Sequence, residues 1–274
     1  MASLRPMYLG DLHKVIEIIT DHDEDDGESA EADYEGGDFS NQFVLEMDNQ
    51  VIGLTGFRPI EGTDNTCWLS WTYLAKPHQK SGLGKAMLLE LLGKLKDINC
   101  RKIFVKVSDY VDPDEGAIYE RALHIYKSLG FEEELVNNNF YDDGENQTIL
   151  GLSLKQDTDN NQGEDFDVED EKPIIRFSGI HEIAETEGAY TFSWEVNEKK
   201  GFFSKRNFTQ DDLMIGINEA KNRKGRKVFL TFPSNLPLIH NPLQLAGFKY
   251  CGNLSHYYEE GVHELHFTYD LGGN

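Results

Sequence analysis

The segment Gln79-Lys80-Ser81-Gly82-Leu83-Gly84-Lys85-Ala86 sets two glycines and two lysines at the start of an apolar-faced helical pattern. Glycine lets a backbone curl tightly and approach a ligand with no Cβ in the way. The first amides of a helix have no carbonyl one turn back, so they face outward, and the helix dipole favours an anion there. A pyrophosphate suits such a place, with Lys80 and Lys85 adding charge. Taken alone, the same residues also suit an ordinary glycine turn. Their spacing matches neither the dinucleotide fingerprint GxGxxG nor the phosphate loop GxxxxGK[ST]. A second constellation, Asp21 to Asp38, holds ten carboxylates in eighteen residues. Focused negative potential there would concentrate a cationic substrate or partner and weaken with salt, whereas a merely solvated acidic loop would do neither. Tyr126, on the apolar face of a later helix, reads by itself as a core aromatic. His78 and His124 read as surface histidines.

These groups need elements to position them. Strands are expected at Ala2–Pro6, Phe43–Met47, Val51–Phe57, Cys67–Leu74, Lys102–Val107, Glu133–Asn137 and Gln147–Leu154, from their β-forming residues and flanking turns. Helices are expected from about Asp11 to Thr20 and about Gly84 to Ile98, the latter with Leu88, Leu91, Leu92 and Leu95 on one face. A third carries Ile118, Ala122, Ile125, Tyr126 and Leu129, closed by Gly130. The aperiodic Asp21–Asp38 stretch reads as a long loop. The result is a mixed α/β domain over residues 1–155.

Residues 156–173, acidic and ending in Pro173, read as an exposed linker. Beyond them come strands at Ile174–Glu182 and Ala189–Val196, a helix at Asp211–Asn222 capped by Thr209, a strand at Lys227–Phe232, a short helix near Pro242–Leu245 and two more strands. Residues 130–154 and 247–271 align without a gap, 117 positions apart: Gly130-Phe131 with Gly247-Phe248, and Tyr141-Asp142-Asp143-Gly144 with Tyr258-Glu259-Glu260-Gly261. Arg101 to Val105 likewise resembles Arg226 to Leu230. Residues 174–274 therefore read as a shortened second copy of the first fold.

Bulk composition narrows the function. The formal charge is -23, from 26 basic and 49 acidic residues, which disfavours nucleic acid and anionic membrane as partners. No apolar run approaches a membrane span or a secretory signal. Three widely spaced cysteines, Cys67, Cys100 and Cys251, argue against a disulfide framework or a structural zinc site and fit a reducing, cytoplasmic setting. No metal is expected.

The spacing Q-x-x-G-x-G at Gln79–Gly84 resembles the coenzyme-A loop of the GNAT N-acetyltransferases. So does the order of the surrounding motifs: Leu4-Arg5-Pro6, then Gln50 to Gly56, Trp68 to Leu74, and the pattern A-x-x-x-Y-x-x-x-G-F at Ala122–Phe131. The resemblance implies a GNAT fold, a mixed and mostly antiparallel sheet flanked by helices, in tandem with a degenerate second GNAT-like domain. It implies acetyl-CoA as co-substrate and transfer of its acetyl group to a primary amine by direct attack. The backbone of Leu74, Ala75 and Lys76 would take the pantetheine arm, and an amide near Leu74 would polarise the acetyl carbonyl. Gln79, Lys80, Ser81, Gly82, Leu83, Gly84 and Lys85 would hold the pyrophosphate. Tyr126 would protonate the departing thiolate. The acceptor side of the cleft would be lined by the acidic segment, with Asp23, Asp25 and Asp26 as substrate residues.

The sequence departs from the family pattern in three places. The loop Lys76-Pro77-His78-Gln79 is one residue short, Tyr119 stands where an asparagine is usual, and Cys67–Tyr73 carries no glutamate to serve as base. Activation through water, or through a carboxylate of Asp21–Asp38, is the remaining route. The second copy has Leu243 at the tyrosine position and no glycine loop, so it is expected to bind no coenzyme. The competing reading is a non-catalytic acyl-CoA-binding regulatory or interaction module. The chain is expected to act as a monomer or a homodimer.

Overall fold

The computed structural model describes residues 2–37, 39–113, 116–154, 174–197 and 208–272. The expected linker at 156–173 lies outside them, as does Asp38. Two compact units emerge. One comprises residues 2–134 and 148–154, the other residues 135–147, 174–197 and 208–272.

In the first unit the strands are β1 (Ser3–Pro6), β2 (Gln42–Met47), β3 (Gln50–Pro59), β4 (Thr66–Leu69), β5 (Tyr73–Leu74) and β6 (Lys102–Ser108). They are joined by β7 (Glu132–Asp142) and β8 (Glu145–Ser153), whose hairpin ends among the residues of the second unit. The sheet runs β1-β2-β3-β4-β6-β8-β7, with β5 on β3. The β2–β3 turn has Asp48 and Asn49 both at positive φ, the twist a two-residue hairpin prefers.

The helices are α1 (Leu12–Thr20), α2 (Glu24–Tyr34), α3 (Leu83–Asp97) and α4 (Glu120–Ser128). α3 buries Met87, Leu88, Leu91, Leu92 and Leu95, one stripe of a 3.6-residue period. Each such side chain contributes about 1.5–3 kcal/mol by leaving water. The stripe ends at Asn99, left-handed with φ 59°, where the Cys100 amide donates back to the Leu95 carbonyl at 2.9 Å. α1 buries Val15, Ile18 and Ile19 in a separate cluster with Val44 and Leu54.

The acidic segment is not a long loop. Asp23 caps α2 by accepting from the Asp25 and Asp26 amides at 3.0 and 3.1 Å, and Glu24, Asp25 and Asp26 fill the first turn, where the helix dipole favours negative charge. α2 buries Gly27, Ala30 and Tyr34. A Cβ at Gly27 would strike the Thr20 hydroxyl, so α1 and α2 pack closely because residue 27 has no side chain. The expected strand Cys67–Leu74 is also interrupted. It divides into β4 and β5, with Ser70, Trp71 and Thr72 between them.

The second unit contains β9 (Ile174–Glu182), β10 (Ala189–Asn197), α5 (Gln210–Asn222), β11 (Lys227–Pro233), α6 (His240–Ala246), β12 (Lys249–Glu259) and β13 (Val262–Asp270). Its sheet order is β12-β13-β11-β10-β9. The bounds of β7 and β8, moved by 117 positions, give those of β12 and β13. Both hairpins carry the same bulge. Asn139 and His256 are left-handed, with φ 51° and 54°. The Asn139 amide donates to Asn146 Oδ1 and the Gly144 amide to Asn139 Oδ1, at 2.8 and 2.9 Å. Imidazole nitrogens do the same work in the other hairpin, where His256 donates to His263 Nδ1 and Gly261 to His256 Nδ1, both at 2.9 Å.

Candidate active site

β4 lies parallel to β6 through three pairs, Thr66–Lys102, Cys67–Ile103 and Trp68–Phe104. The chain then crosses to β5, which pairs only with β3, as Gly53–Leu74 and Leu54–Tyr73. The sheet therefore opens on the β6 side of β5. The Ala75 amide donates to the Ile52 carbonyl on β3 at 2.9 Å. Alternation along a strand turns the Leu74 amide and carbonyl the other way, toward the opening.

The Leu74 carbonyl accepts from His22 Nε2 at 2.9 Å. A carbonyl can only accept, so Nε2 carries the proton of this imidazole. Gln79 Nε2 also donates to Leu74 O, at 3.3 Å, and its 3.2 Å approach to His22 Nε2 is a contact of two donors rather than a hydrogen bond. Gln79 Oε1 accepts from Arg121 Nη1 at 2.7 Å. One glutamine thus ties the strand end to α4, while the Leu74 carbonyl it shares with His22 holds α1's outgoing turn.

After Gln79 the backbone is left-handed at Lys80, φ 60°, and again at Gly82, φ 83°, which caps α3. No heavy atom lies within 4 Å of a Cβ built on Gly82, and only Leu74 Cδ2, at 4.0 Å, meets one built on Gly84. Both glycines therefore border open space. Lys80, Ser81 and Lys85 are exposed around them. Leu83 is half-buried, and its amide donates to Ser81 Oγ at 3.4 Å. Lys76 is exposed in a short 3-10 turn, Lys76–His78.

Tyr126 is buried on α4, its ring 5.5 Å from that of Phe131. Burial pushes its phenol well above the ordinary value, and a hydrogen bond with Thr72 partly offsets this. Thr72 donates to the Ser70 carbonyl at 3.0 Å and meets Thr55 Oγ1 at 2.9 Å. The break between β4 and β5 is what brings this threonine to Tyr126.

The three acidic residues separate. Asp25 is exposed. Asp26 turns inward, and its Oδ2 accepts from the hydroxyls of Tyr73 and, at 2.6 Å, Tyr119. Tyr119 also lies 3.1 Å from Asp23 Oδ2. Desolvation raises the Asp26 carboxyl above the ordinary carboxylate range, opposed by the two tyrosine hydrogen bonds and reinforced by Asp23 and Asp25. Burial and the same carboxylates push both tyrosines upward. His78 and His124 take no part in this network. His22, Thr72, Tyr73 and Arg121 do, although residue types and spacing did not mark them.

Residues 8–131 match the family model described as the Acetyltransferase (GNAT) family. An N-alpha-acetyltransferase of Sulfurisphaera tokodaii is 28% identical over 123 residues, covering 41% of this chain and 68% of that protein. A GNAT-family protein of known structure from Desulfovibrio desulfuricans aligns with a TM-score of 0.50 at 23% identity, over 57% of this chain and 100% of that one. Residues 8–131 are thus similar to the GNAT acetyltransferase family, and the first unit has the α/β fold of that family.

Proposed function

We propose that residues 1–155 transfer the acetyl group of acetyl-CoA to a primary amine by direct attack. The observation that carries this reading is the open left-handed turn Lys80–Gly82 at the start of α3, beside a sheet that opens at Leu74 and next to the buried hydroxyl of Tyr126. The residues fit the co-substrate. Amides at the head of α3, with Lys80 and Lys85, would hold its pyrophosphate. The backbone of Leu74 to Lys76 would guide the pantetheine arm, and the outward Leu74 amide would polarise the acetyl carbonyl. Tyr126 keeps its proton throughout the neutral range, as an acid must. Its proton would pass to the sulfur as the thiolate departs.

The acceptor suggested by α2 is cationic, drawn by Asp23, Asp25 and Asp26. Residues 156–173 serve as linker, and residues 174–274 as a degenerate GNAT-like domain that takes no coenzyme. That last assignment rests on the second unit's own opening. β10 and β11 pair only at Ala189–Lys227 and Tyr190–Val228, yet Trp194 fills the space beyond, its ring 5.1 Å from Phe208 and 5.8 Å from Phe232. Leu243 is buried where the first unit has its tyrosine. Three free cysteines suit a cytoplasmic setting.

The experiment is thiol release from acetyl-CoA across a panel of amines, from small amines to basic peptides. Acetyl-CoA binding with no transfer to any amine would leave the acyl-CoA-binding module as the correct reading.

A further inference from the structure

The acyl-transfer reading leaves one step without a residue. An amine is an ammonium at neutral pH, and its nitrogen cannot attack until a proton leaves. The expected strand position for a base holds no carboxylate: β4 and the residues up to β5 are Thr66-Cys67-Trp68-Leu69-Ser70-Trp71-Thr72. Resting on that reading, we propose that Asp26, suspended between Tyr73 and Tyr119, is the catalytic base that takes the proton of the incoming ammonium.

Three observations carry the assignment. Asp26 is the inward acid of an otherwise outward-facing first turn, while its neighbours Glu24 and Asp25 are exposed. Its two hydroxyl partners come from the elements that frame the reaction site. Tyr73 immediately precedes Leu74 in β5, and Tyr119 caps α4, which carries Tyr126. Both hydroxyls converge on Oδ2, so Oδ1 retains the capacity to accept a proton. His22 donates from Nε2 to the Leu74 carbonyl, which leaves its Nδ1 lone pair as the competing proton acceptor that the Asp26→Asn variant tells apart. The groups facing Asp26 are Tyr73, Tyr119, Asp23 and Asp25, with the His22 ring 5.4 Å from that of Tyr73 and tilted 45° to it. Among the described residues no lysine or arginine is paired with Asp26, so a cationic acceptor would meet a carboxylate that none of them neutralises.

The step balances simply. The ammonium N–H bond breaks and its proton passes to Asp26 Oδ1. The freed lone pair forms the C–N bond at the acetyl carbon, and the C–S bond breaks. The second nitrogen proton is lost as the amide forms. Of the two protons shed, one ends on the coenzyme sulfur and the other in solvent.

The test is the pH profile of kcat/KM for the best acceptor in wild type, Asp26→Asn and Tyr119→Phe. Asp26→Asn should lose about a hundredfold or more at neutral pH, the scale for a general base, and recover as rising pH supplies free amine. Its acetyl-CoA affinity should stay at the wild-type value. Tyr119→Phe removes a hydrogen bond that favours the carboxylate, so the acidic limb should move to higher pH. A purely structural role would not move that limb. Active wild type alongside an Asp26→Asn variant of equal rate and profile overturns the base assignment alone. An unmoved limb in folded Tyr119→Phe also counts against it. Wild type that binds acetyl-CoA yet acetylates no amine overturns the acyl-transfer reading and this assignment together.

Discussion

Gly84→Ala should separate fold stability from coenzyme binding. Gly84 sits in the first turn of α3 with only one atom, Leu74 Cδ2, at 4.0 Å from a built Cβ, so the methyl meets no steric objection. Alanine inside a helix is favoured over glycine by about 0.5–1 kcal/mol, chiefly through backbone entropy. At about 2–4 °C per kcal/mol for a domain of this size, the free protein should melt about 1–4 °C higher. On the proposed reading, the same methyl stands where the pyrophosphate would approach the helix amides. Wild type at a hundred times Kd gains about 2.7 kcal/mol from its ligand, or about 5–11 °C. In Gly84→Ala that increment should shrink markedly while the unliganded melting point rises. Gly82→Val should lose the increment too, but from a lower starting point. Its φ of 83° forces a left-handed backbone that costs an L-residue about 1–2 kcal/mol. Melting curves with and without acetyl-CoA, followed by calorimetric titration, measure both quantities. A full ligand shift in both variants would refute the assignment of this turn.

Tyr126→Phe should keep coenzyme affinity and lower turnover by about a hundredfold, read in a single-turnover thiol assay. Titration calorimetry should give one acetyl-CoA per chain, since Trp194 occupies the second unit's opening. Gly27→Val should lower the melting temperature through a clash with Thr20, by about 1–3 kcal/mol of overpacking. Asp26→Asn should raise stability at neutral pH. The folded state raises this carboxyl's pKa, so ionisation opposes folding above that value, and the effect fades as pH falls below the unfolded value near 3.8. Melting curves of the two proteins should accordingly converge in acid.

The sheet, α3 and α4 were legible because their signals are local. Leu88, Leu91, Leu92 and Leu95 repeat at helical spacing, and Asp48-Asn49 is a hairpin turn in two residues. α2 is faint in the sequence because its buried face is small: Gly27, Ala30 and Tyr34 follow helical spacing, but only the tyrosine is a large apolar side chain. Asp23 followed by three acids is a helix-start signal that a high net charge masks. The break after Leu69 could not be read either, since Ser70-Trp71-Thr72 has strand-forming residues and leaves β4 only because of pairing in three dimensions. For the same reason neither His22 nor the pairing of Tyr119 with Asp26 could be read in advance. Their partners, Leu74 and Asp26, lie 52 and 93 positions away in sequence.

The packed ring of Trp194 also affects how the chain breathes. A strand edge sealed by aromatic side chains has no route for water, and its amides exchange hydrogen only when the surrounding structure opens. Amides of β10 and β11 near Trp194 should therefore exchange slowly whether or not coenzyme is present. At the corresponding place in the first unit the described residues put the polar side chains of His22 and Gln79 on Leu74 rather than an aromatic cluster, and exchange there should be faster in the free protein than in the complex. Deuterium uptake along β5 and β10, compared peptide by peptide, would then separate the opening that a ligand must close from the one the protein has closed for itself.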